Sequence, residues 1–298
     1  MVKLKIKEFM MNLSKKISIL CLAFIFIASM AVFCVVMASE TSIKPEADIE
    51  YVKNKNYSFL NGKTGTMLFA KWNEQDTRDS QNKAWGCKID KITFSDSISG
   101  CLALLKSGRA DFIMTLDVTA NYIARKNPEL KSVVCNEDRD IVMILRSSDE
   151  KLRDSLNSAI KKLRSNGRIG ELEKKWIAAV LDDGKAETVN IEKTPGAETV
   201  YVGVSGDIPP LDYIAADGKP AGFNMAFLAE IAKTAGVNIE VVSLDSQARF
   251  AALESKKIDV FFWTTLLADK TASPQAFDKK IVFSEAYCTF KRAFLLKK

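Results

Sequence analysis

The chain has 298 residues, of which 47% are hydrophobic and 27% are charged, a balance that is typical of globular proteins and excludes intrinsic disorder. The formal net charge of +6 is concentrated in lysines before residue 17, so the remainder lacks the basic surface that nucleic-acid binding requires. The sequence contains no histidine, which excludes histidine acid–base and triad chemistry.

An apolar run at residues 17–38 follows the basic N-terminal segment. The run ends in Val36-Met37-Ala38, which predicts that residues 1–38 are a secretory signal cleaved after Ala38. The run is also long enough to remain as an uncleaved membrane anchor. Both alternatives predict an extracytoplasmic protein, in the periplasm or at the cell surface, whose only membrane contact is at residues 17–38. The widely spaced cysteines beyond it match no metal motif and indicate no particular disulfide.

Strand-like and helix-like patterns alternate through the first half. Apolar runs bounded by turn residues predict strands at 62–68, 88–94, 111–116, 131–135 and 140–145. Ile98, Cys101 and Leu105 recur at helical spacing, and Gly108 is a plausible end for that helix. Residues 147–150 fit a capping box that opens an amphipathic helix, and a second helix follows at 169–180. The charged segment 182–198 indicates a linker.

A second module begins beyond the linker. Strands are predicted at 200–204, 238–244, 259–264 and 292–296, with helices around Phe227 and Phe250. Residues 251–260 repeat the pattern of residues 103–112 at an offset of 148. In both copies a helix ends at a small or basic turn and an Asp leads into a buried strand. This repeat predicts two α/β units of similar construction with largely parallel sheets.

Several motifs together resemble one family. Residues 202–213 (VGVSGDIPPLDY), 217–224 (DGKPAGFN) and 283–287 (FSEAY) are similar to the first lobe of the family 3 extracellular solute-binding proteins, the polar amino-acid receptors of bacterial ABC importers. Residues 60–65 (LNGKTG), 107–111 (SGRAD) and 166–176 (NGRIGELEKKW) resemble its second lobe and closing helices. The resemblance implies an α/β, two-lobe periplasmic-binding-protein-like fold of type II.

The order of the motifs departs from the family pattern. The chain reads as a second-lobe-like domain at 58–140, a crossing strand and closing helices at 141–181, the linker at 182–198 and a first-lobe-like domain at 199–298. A circular permutation explains this order most simply. A domain-swapped dimer and a gene fragment that carries parts of two tandem receptors are the alternatives.

The resemblance also implies ligand-binding positions. An amino-acid receptor needs a cation for the carboxylate, an anion for the ammonium group and often an aromatic wall. Lys270 falls where the family has a carboxylate-binding Arg, although a Lys cannot form the same bidentate pair of hydrogen bonds. Asp117 resembles the residue that pairs with the ligand ammonium, and it could equally be a helix cap. The remaining candidates at the cleft are Lys71, Trp72, Ser205, Tyr213, Trp263, Thr264 and Thr265.

The leading functional hypothesis is therefore an extracytoplasmic receptor that delivers a small amino-acid-like ligand or small carboxylate to an ABC importer permease. A membrane-tethered sensory or interaction module and a degenerate receptor are the alternatives. Some relatives with this fold are enzymes, but the chain shows no paired acid and base for a carboxylate mechanism, and we predict neither catalysis nor a cofactor or metal.

Overall fold

The computed structural model describes residues 49–52, 56–68, 74–178, 187–215, 217–245, 247–268 and 280–298. The predicted signal or anchor at 1–38, the candidate ligand residues Lys71, Trp72 and Lys270, and part of the predicted linker lie outside these residues.

The first half alternates strands and helices as predicted. Its elements are β1 (Ile49–Val52), β2 (Thr64–Leu68), α1 (Glu74–Trp85), β3 (Lys91–Ser95), α2 (Ile98–Lys106), β4 (Phe112–Leu116), α3 (Asp117–Lys126) and β5 (Leu130–Arg146). Helix α2 begins where the Ser97 hydroxyl accepts a hydrogen bond from the Gly100 amide, and its buried face carries the three residues whose spacing predicted it. We call β2–β4 with α1–α3 the first module.

Two helices connect the halves of the chain. They are α4 (Glu150–Ser165) and α5 (Arg168–Glu173), and α5 continues as a π-turn at Lys174–Ala178. The predicted capping box is wrong, because Asp149 makes no side-chain bond to the helix start. Its carboxylate instead forms an ion pair with the Arg146 guanidinium at 2.6 Å. The apolar face of α4 packs into the main core beside Trp176.

The second half begins beyond residue 187. Its elements are β6 (Thr199–Val204), β7 (Asp207–Ile208), β8 (Asp212–Ile214), β9 (Pro220–Ala221), α6 (Phe223–Ala235), β10 (Asn238–Ser243), α7 (Ala248–Glu254), β11 (Val260–Leu267), β12 (Ile281–Phe283) and β13 (Cys288–Lys297). We call β6–β11 with α6 and α7 the second module. The described part of the predicted linker is held against it, since the Thr194 amide donates to Asn238 Oδ1 at 2.7 Å.

One mixed sheet runs through both modules in the order β10-β6-β11-β5-β13-β4-β2-β3. Pairing is parallel among β2, β3 and β4 and among β10, β6 and β11. The prediction of largely parallel sheets is therefore correct within each module but wrong where they join, because β5 and β13 pair antiparallel with each other, β5 pairs antiparallel with β11, and β13 pairs antiparallel with β4. The strands predicted separately at 131–135 and 140–145 are the two ends of the single strand β5.

The register between β5 and β13 is irregular near its middle. Lys291 lies opposite Asp138 and Ala293 lies opposite Val134, so the β5 strand bulges there. The β13 residue at this bulge is Arg292. The end of β5 that precedes the bulge pairs with β1, and the end that follows it pairs with β11 and β12. The bulge therefore marks the point where the crossing strands pass from one module to the other.

Buried charges occupy this bulge. The Glu137 carboxylate accepts hydrogen bonds from Arg292 Nε at 2.8 Å, Tyr57 Oη at 2.9 Å and Trp85 Nε1 at 3.2 Å. Arg139 also donates to it, at 3.3 Å. Nearby arginines help to hold the pKa of Glu137 below its ordinary value even though burial raises it. The charge is thus buried and fully supplied with donors, as burial of an ion requires.

The repeat seen in the sequence is also a structural repeat. Asp111 Oδ2 accepts a hydrogen bond from the Thr64 amide at 2.8 Å, and Asp259 Oδ2 accepts one from the Tyr201 amide at 3.0 Å. In both modules this bond joins the start of the third strand to the first strand. The preceding helix ends at a left-handed residue, which is Gly108 (φ 75°) in the first module and Lys256 (φ 61°) in the second.

The left-handed conformation of Lys256 makes a testable difference between the two copies. A side chain destabilises that conformation by about 1 kcal/mol relative to Gly, so Lys256→Gly is expected to stabilise the protein by roughly 0.5–1 kcal/mol. Gly108→Ala at the matching position should destabilise it by about 1 kcal/mol. Denaturant unfolding measures both, and a Lys256→Gly protein less stable than wild type would contradict the expectation.

Candidate functional site

A fully buried carboxylate organises the loop that follows β6. Asp212 Oδ2 accepts hydrogen bonds from the Ser205 hydroxyl at 3.0 Å and the Gly206 amide at 3.3 Å. Its Oδ1 accepts from the Trp263 indole Nε1 at 2.6 Å and from Asn224 Nδ2 at 3.0 Å. The carboxylate therefore fixes two predicted ligand residues, Ser205 and Trp263, in one arrangement.

The charge of Asp212 is compensated inside the module. Burial raises the pKa of Asp212, while the hydrogen bonds from Trp263 and Asn224 and the nearby Arg249 guanidinium lower it. Burial likewise lowers the pKa of Arg249, and the neighbouring Asp212 carboxylate raises it. Arg249 Nη1 donates to the Phe262 carbonyl at 2.9 Å, and its guanidinium lies 4.3 Å from the Phe261 ring centre. Asp212 thus orders this loop through contacts within the second module.

The network continues into the aromatic core through Asn224. Asn224 Oδ1 accepts a hydrogen bond from the Tyr287 hydroxyl at 3.0 Å. The Tyr287 ring stacks on Phe227 with ring centres 4.3 Å apart and on Phe262 at 5.8 Å. Tyr287, the tyrosine of the FSEAY motif, therefore belongs to the core, where its hydroxyl contacts the Asn224 side chain that binds Asp212.

Three further predicted residues lie in the second module, Tyr213 on β8 and Thr264 and Thr265 on β11. Tyr213 is half-buried, and burial together with the neighbouring Tyr122 of the first module raises its pKa to about 12. Thr264 and Thr265 lie on β11 beside the crossing strand β5. Thr265 Oγ1 accepts a long hydrogen bond, 3.4 Å, from Arg139 Nη2. Arg139, a cation that the sequence analysis did not select, thus reaches the candidate site from β5.

Asp117 lies at a different place, where α3 meets β13. Its Oδ1 accepts hydrogen bonds from the Val118 amide at 2.9 Å and from the Lys291 amide at 3.2 Å. Burial raises the pKa of Asp117 to about 6, and the two amides and the Lys291 ammonium oppose that rise. Asp117 is the first residue of α3 and the N-cap position belongs to Leu116, while the bond to the Lys291 amide ties the first module to the crossing strand.

Sequence reasoning therefore found two parts of the site and missed the group that joins them. Ser205 and Trp263 meet at Asp212, which stood in the quoted PPLDY motif without being selected. A carboxylate inside an otherwise apolar stretch is a signal for a buried hydrogen-bonded group. Arg139 carried no such signal, because its neighbours on both sides are aspartates.

Neither a metal site nor a membrane span is found in the described part of the chain. Its His, Cys, Asp and Glu side chains form no group of three or more suited to a metal ion. None of its helices combines the length and apolar character needed to cross a bilayer.

The residues around Asp212 are similar in sequence to a known protein family. The model of the bacterial extracellular solute-binding proteins, family 3, matches residues 200–298. The match covers about a third of the chain. This segment contains β6 through β13, and with them Ser205, Tyr213, Asp212 and Trp263.

Curated relatives match the chain over a similar length. The arginine-binding extracellular protein ArtP of Bacillus subtilis is 31% identical over 103 residues, which cover 35% of this chain and 38% of ArtP. The L-cystine-binding protein TcyJ of Escherichia coli K12 is 31% identical over 108 residues, covering 36% of this chain and 38% of TcyJ. The matches thus span little more than a third of these relatives.

Solved structures resemble the chain only weakly. An ancestral arginine-binding protein bound to arginine is 12% identical with a TM-score of 0.38, over 80% of this chain and 86% of that one. A putative L-cystine ABC transporter from Listeria monocytogenes is 13% identical with a TM-score of 0.36, over 79% and 81% of the two chains.

The raised pKa of Asp117 predicts a pH-dependent stability. The folded protein holds this proton up to about pH 6, whereas the unfolded chain releases it near pH 3.8, so the folded state binds more protons between these values. The free energy of unfolding should therefore fall as pH rises from about 4 to 6, by on the order of 2 kcal/mol. Asp117→Asn should flatten this dependence.

Denaturant unfolding at several pH values measures how the free energy of unfolding depends on pH. Asp217→Asn, at an exposed position in the β8–β9 turn, is the matched control and should leave the slope unchanged. An unaltered slope in the Asp117→Asn protein would show that this carboxyl is not the titrating group.

Proposed function

We propose that the chain is an extracytoplasmic solute-binding receptor that encloses a small ligand between two α/β lobes and delivers it to an ABC importer permease. The observation that carries this proposal is the family 3 match of residues 200–298. That segment contains the loop in which Asp212 holds Ser205 and Trp263 together.

The sheet topology supports a closing motion between the two modules. Strand β5 pairs with β11 of the second module, β13 pairs with β4 of the first, and the two strands pair with each other on both sides of the bulge at Arg292. Two packed units connected by a few strands are the usual arrangement for hinge closure around a ligand. In this proposal the modules are the lobes, and the crossing strands are the hinge.

The ligand is expected to be amino-acid-like or a small carboxylate. The matched relatives are named for binding arginine and L-cystine, which are both amino acids. Trp263 and Tyr213 offer aromatic surfaces at half-buried positions, and Arg139 and Lys270 are the cations proposed to face a carboxylate. Lys71, Trp72, Thr264 and Thr265 complete the proposed lining. No enzymatic step is proposed.

We also propose that one chain supplies both lobes in circularly permuted order. The end of β13 lies against the segment that precedes β2, because the Phe294 ring centre is 6.0 Å from that of Tyr57 and 5.5 Å from that of Phe59. In both modules the second strand, the first strand, the third strand and a crossing strand follow in this order across the sheet. Both features support a complete two-lobe receptor within a single chain.

Trp263 provides the test of ligand binding. A thermal-shift screen against amino acids, small carboxylates and oligopeptides should find a ligand that raises Tm. Trp263→Ala should weaken that ligand about tenfold or more by calorimetry, and Trp263→Phe should weaken it less, since the ring remains while the bond to Asp212 is lost. Tyr201→Ala, an exposed aromatic on β6, is the control.

Other outcomes identify the alternatives. A protein that retains residues 1–38 and binds a ligand would favour the tethered sensory module. A folded protein that responds to no ligand would favour a degenerate receptor and would contradict the proposal.

Reordering the chain tests the permutation. A variant that places residues 199–298 before residues 56–181 should fold to a monomer and bind the same ligand with similar affinity, because the Phe294 contact brings the joined ends together. Sizing chromatography and calorimetry compare it with the natural order. A natural chain that is dimeric while the reordered chain is monomeric would indicate a domain swap. A reordered chain that does not fold would favour a fragment of two receptors.

A further inference from the structure

A carboxylate from the second module caps a helix of the first. Asp207 lies on β7, and its Oδ2 accepts a hydrogen bond from the Ile98 amide at 2.8 Å. Ile98 is the first residue of α2, 109 positions away in sequence. The first amides of a helix have no partner within the helix, so an acceptor at this point provides the Ile98 amide with a hydrogen bond that the helix cannot supply. The Ser97 hydroxyl satisfies the Gly100 amide and leaves the Ile98 amide to Asp207.

The structural repeat shows what is unusual about this contact. Helix α7 occupies in the second module the place that α2 occupies in the first. The Ala248 amide at the start of α7 donates to Asp245 Oδ1 at 2.7 Å, so α7 is capped by the loop immediately before it. Helix α2 receives its equivalent carboxylate from the opposite module. A negative charge at this end also interacts favourably with the helix dipole.

Other contacts accompany the cap on the same side of the molecule. Tyr213 lies on β8, the strand after the one that carries Asp207. Tyr122 of α3 is close enough to contribute to the raised pKa of Tyr213. Leu68, at the end of β2, packs against the main core that contains Ile208 and Leu211. The two modules are therefore in contact around the Asp207–Ile98 bond.

We propose that Asp207 is a latch that holds the two modules closed through the start of α2. The carboxylate supplies from within the chain the charge that a helix start attracts, so closure does not require a ligand to provide it. A ligand would then bind to modules that are already partly closed, and the loss of the latch would favour the open arrangement. The inference concerns closure and not ligand identity, so it can fail while the proposed receptor function stands.

The test compares Asp207→Ala with Asp245→Ala in the full chain without added ligand. Each substitution removes one carboxylate cap, but only Asp207 joins the modules. Hydrogen exchange should accelerate about five- to tenfold at residues 97–101 in the Asp207→Ala protein and at residues 248–250 in the Asp245→Ala protein. Small-angle X-ray scattering should show a larger radius of gyration for Asp207→Ala and an unchanged one for Asp245→Ala.

An Asp207→Ala protein with faster exchange at residues 97–101 and an unchanged radius of gyration would show an ordinary helix cap and would overturn the latch. Unchanged exchange at those residues would overturn it as well. If Asp207→Ala does not fold, Asp207→Leu provides the same comparison, because it keeps about the size of the side chain and cannot accept the hydrogen bond. An Asp207→Leu protein with wild-type exchange and radius of gyration would then contradict the proposal.

Discussion

The described structure depends on one buried ion pair between its two crossing strands. Glu137 of β5 and Arg292 of β13 meet at the bulge where both strands pass between the modules. Removing one partner of a buried pair leaves an uncompensated charge, which typically costs 3–5 kcal/mol. Tyr57 and Trp85 bind the same carboxylate, so the entry to the first module is held by the same group. The charge network thus joins three separate parts of the chain at the hinge.

This arrangement supports the proposed permutation, because it allows the two lobes in either order to form one sheet. The antiparallel contact of β5 with β13 needs only that the two strands cross side by side, whichever module comes first in sequence. The aromatic cluster around Phe294 then holds the end of β13 beside the entry segment. In the account proposed here, side-chain packing replaces the peptide connection that the usual order would supply there.

Local patterns in the sequence were sufficient for the modules but not for their junction. The repeat at an offset of 148 residues correctly indicated that Asp111 and Asp259 play matching roles, because each role depends on residues within one module. The continuity of β5 could not be read from the sequence, since the polar residues 136–140 interrupt its apolar pattern. Two of those polar residues pair with distant partners, Glu137 with Arg292 and Asp138 with Lys291, which lie more than 150 positions away.

In the candidate site, too, individual residues could be selected from the sequence but the contacts between them could not. Ser205 and Trp263 were selected by resemblance, but the contact that orders them depends on Asp212 and Asn224, which meet only in the folded chain. Asp117 was assigned two possible roles, and its bond to the Lys291 amide could not be foreseen, because that amide belongs to the other crossing strand. Contacts between residues distant in sequence, within the second module for Asp212 and with a crossing strand for Asp117, therefore separate the observed site from the predicted one.

Native mass spectrometry of the protein purified from its host, without added ligand, tests whether a single chain binds a small solute. We expect one chain per particle carrying one small molecule of amino-acid size, which is released when the protein is denatured. A dimer would contradict the single-chain receptor. A monomer that carries no small molecule and gains none from a mixture of amino acids would contradict the receptor function itself.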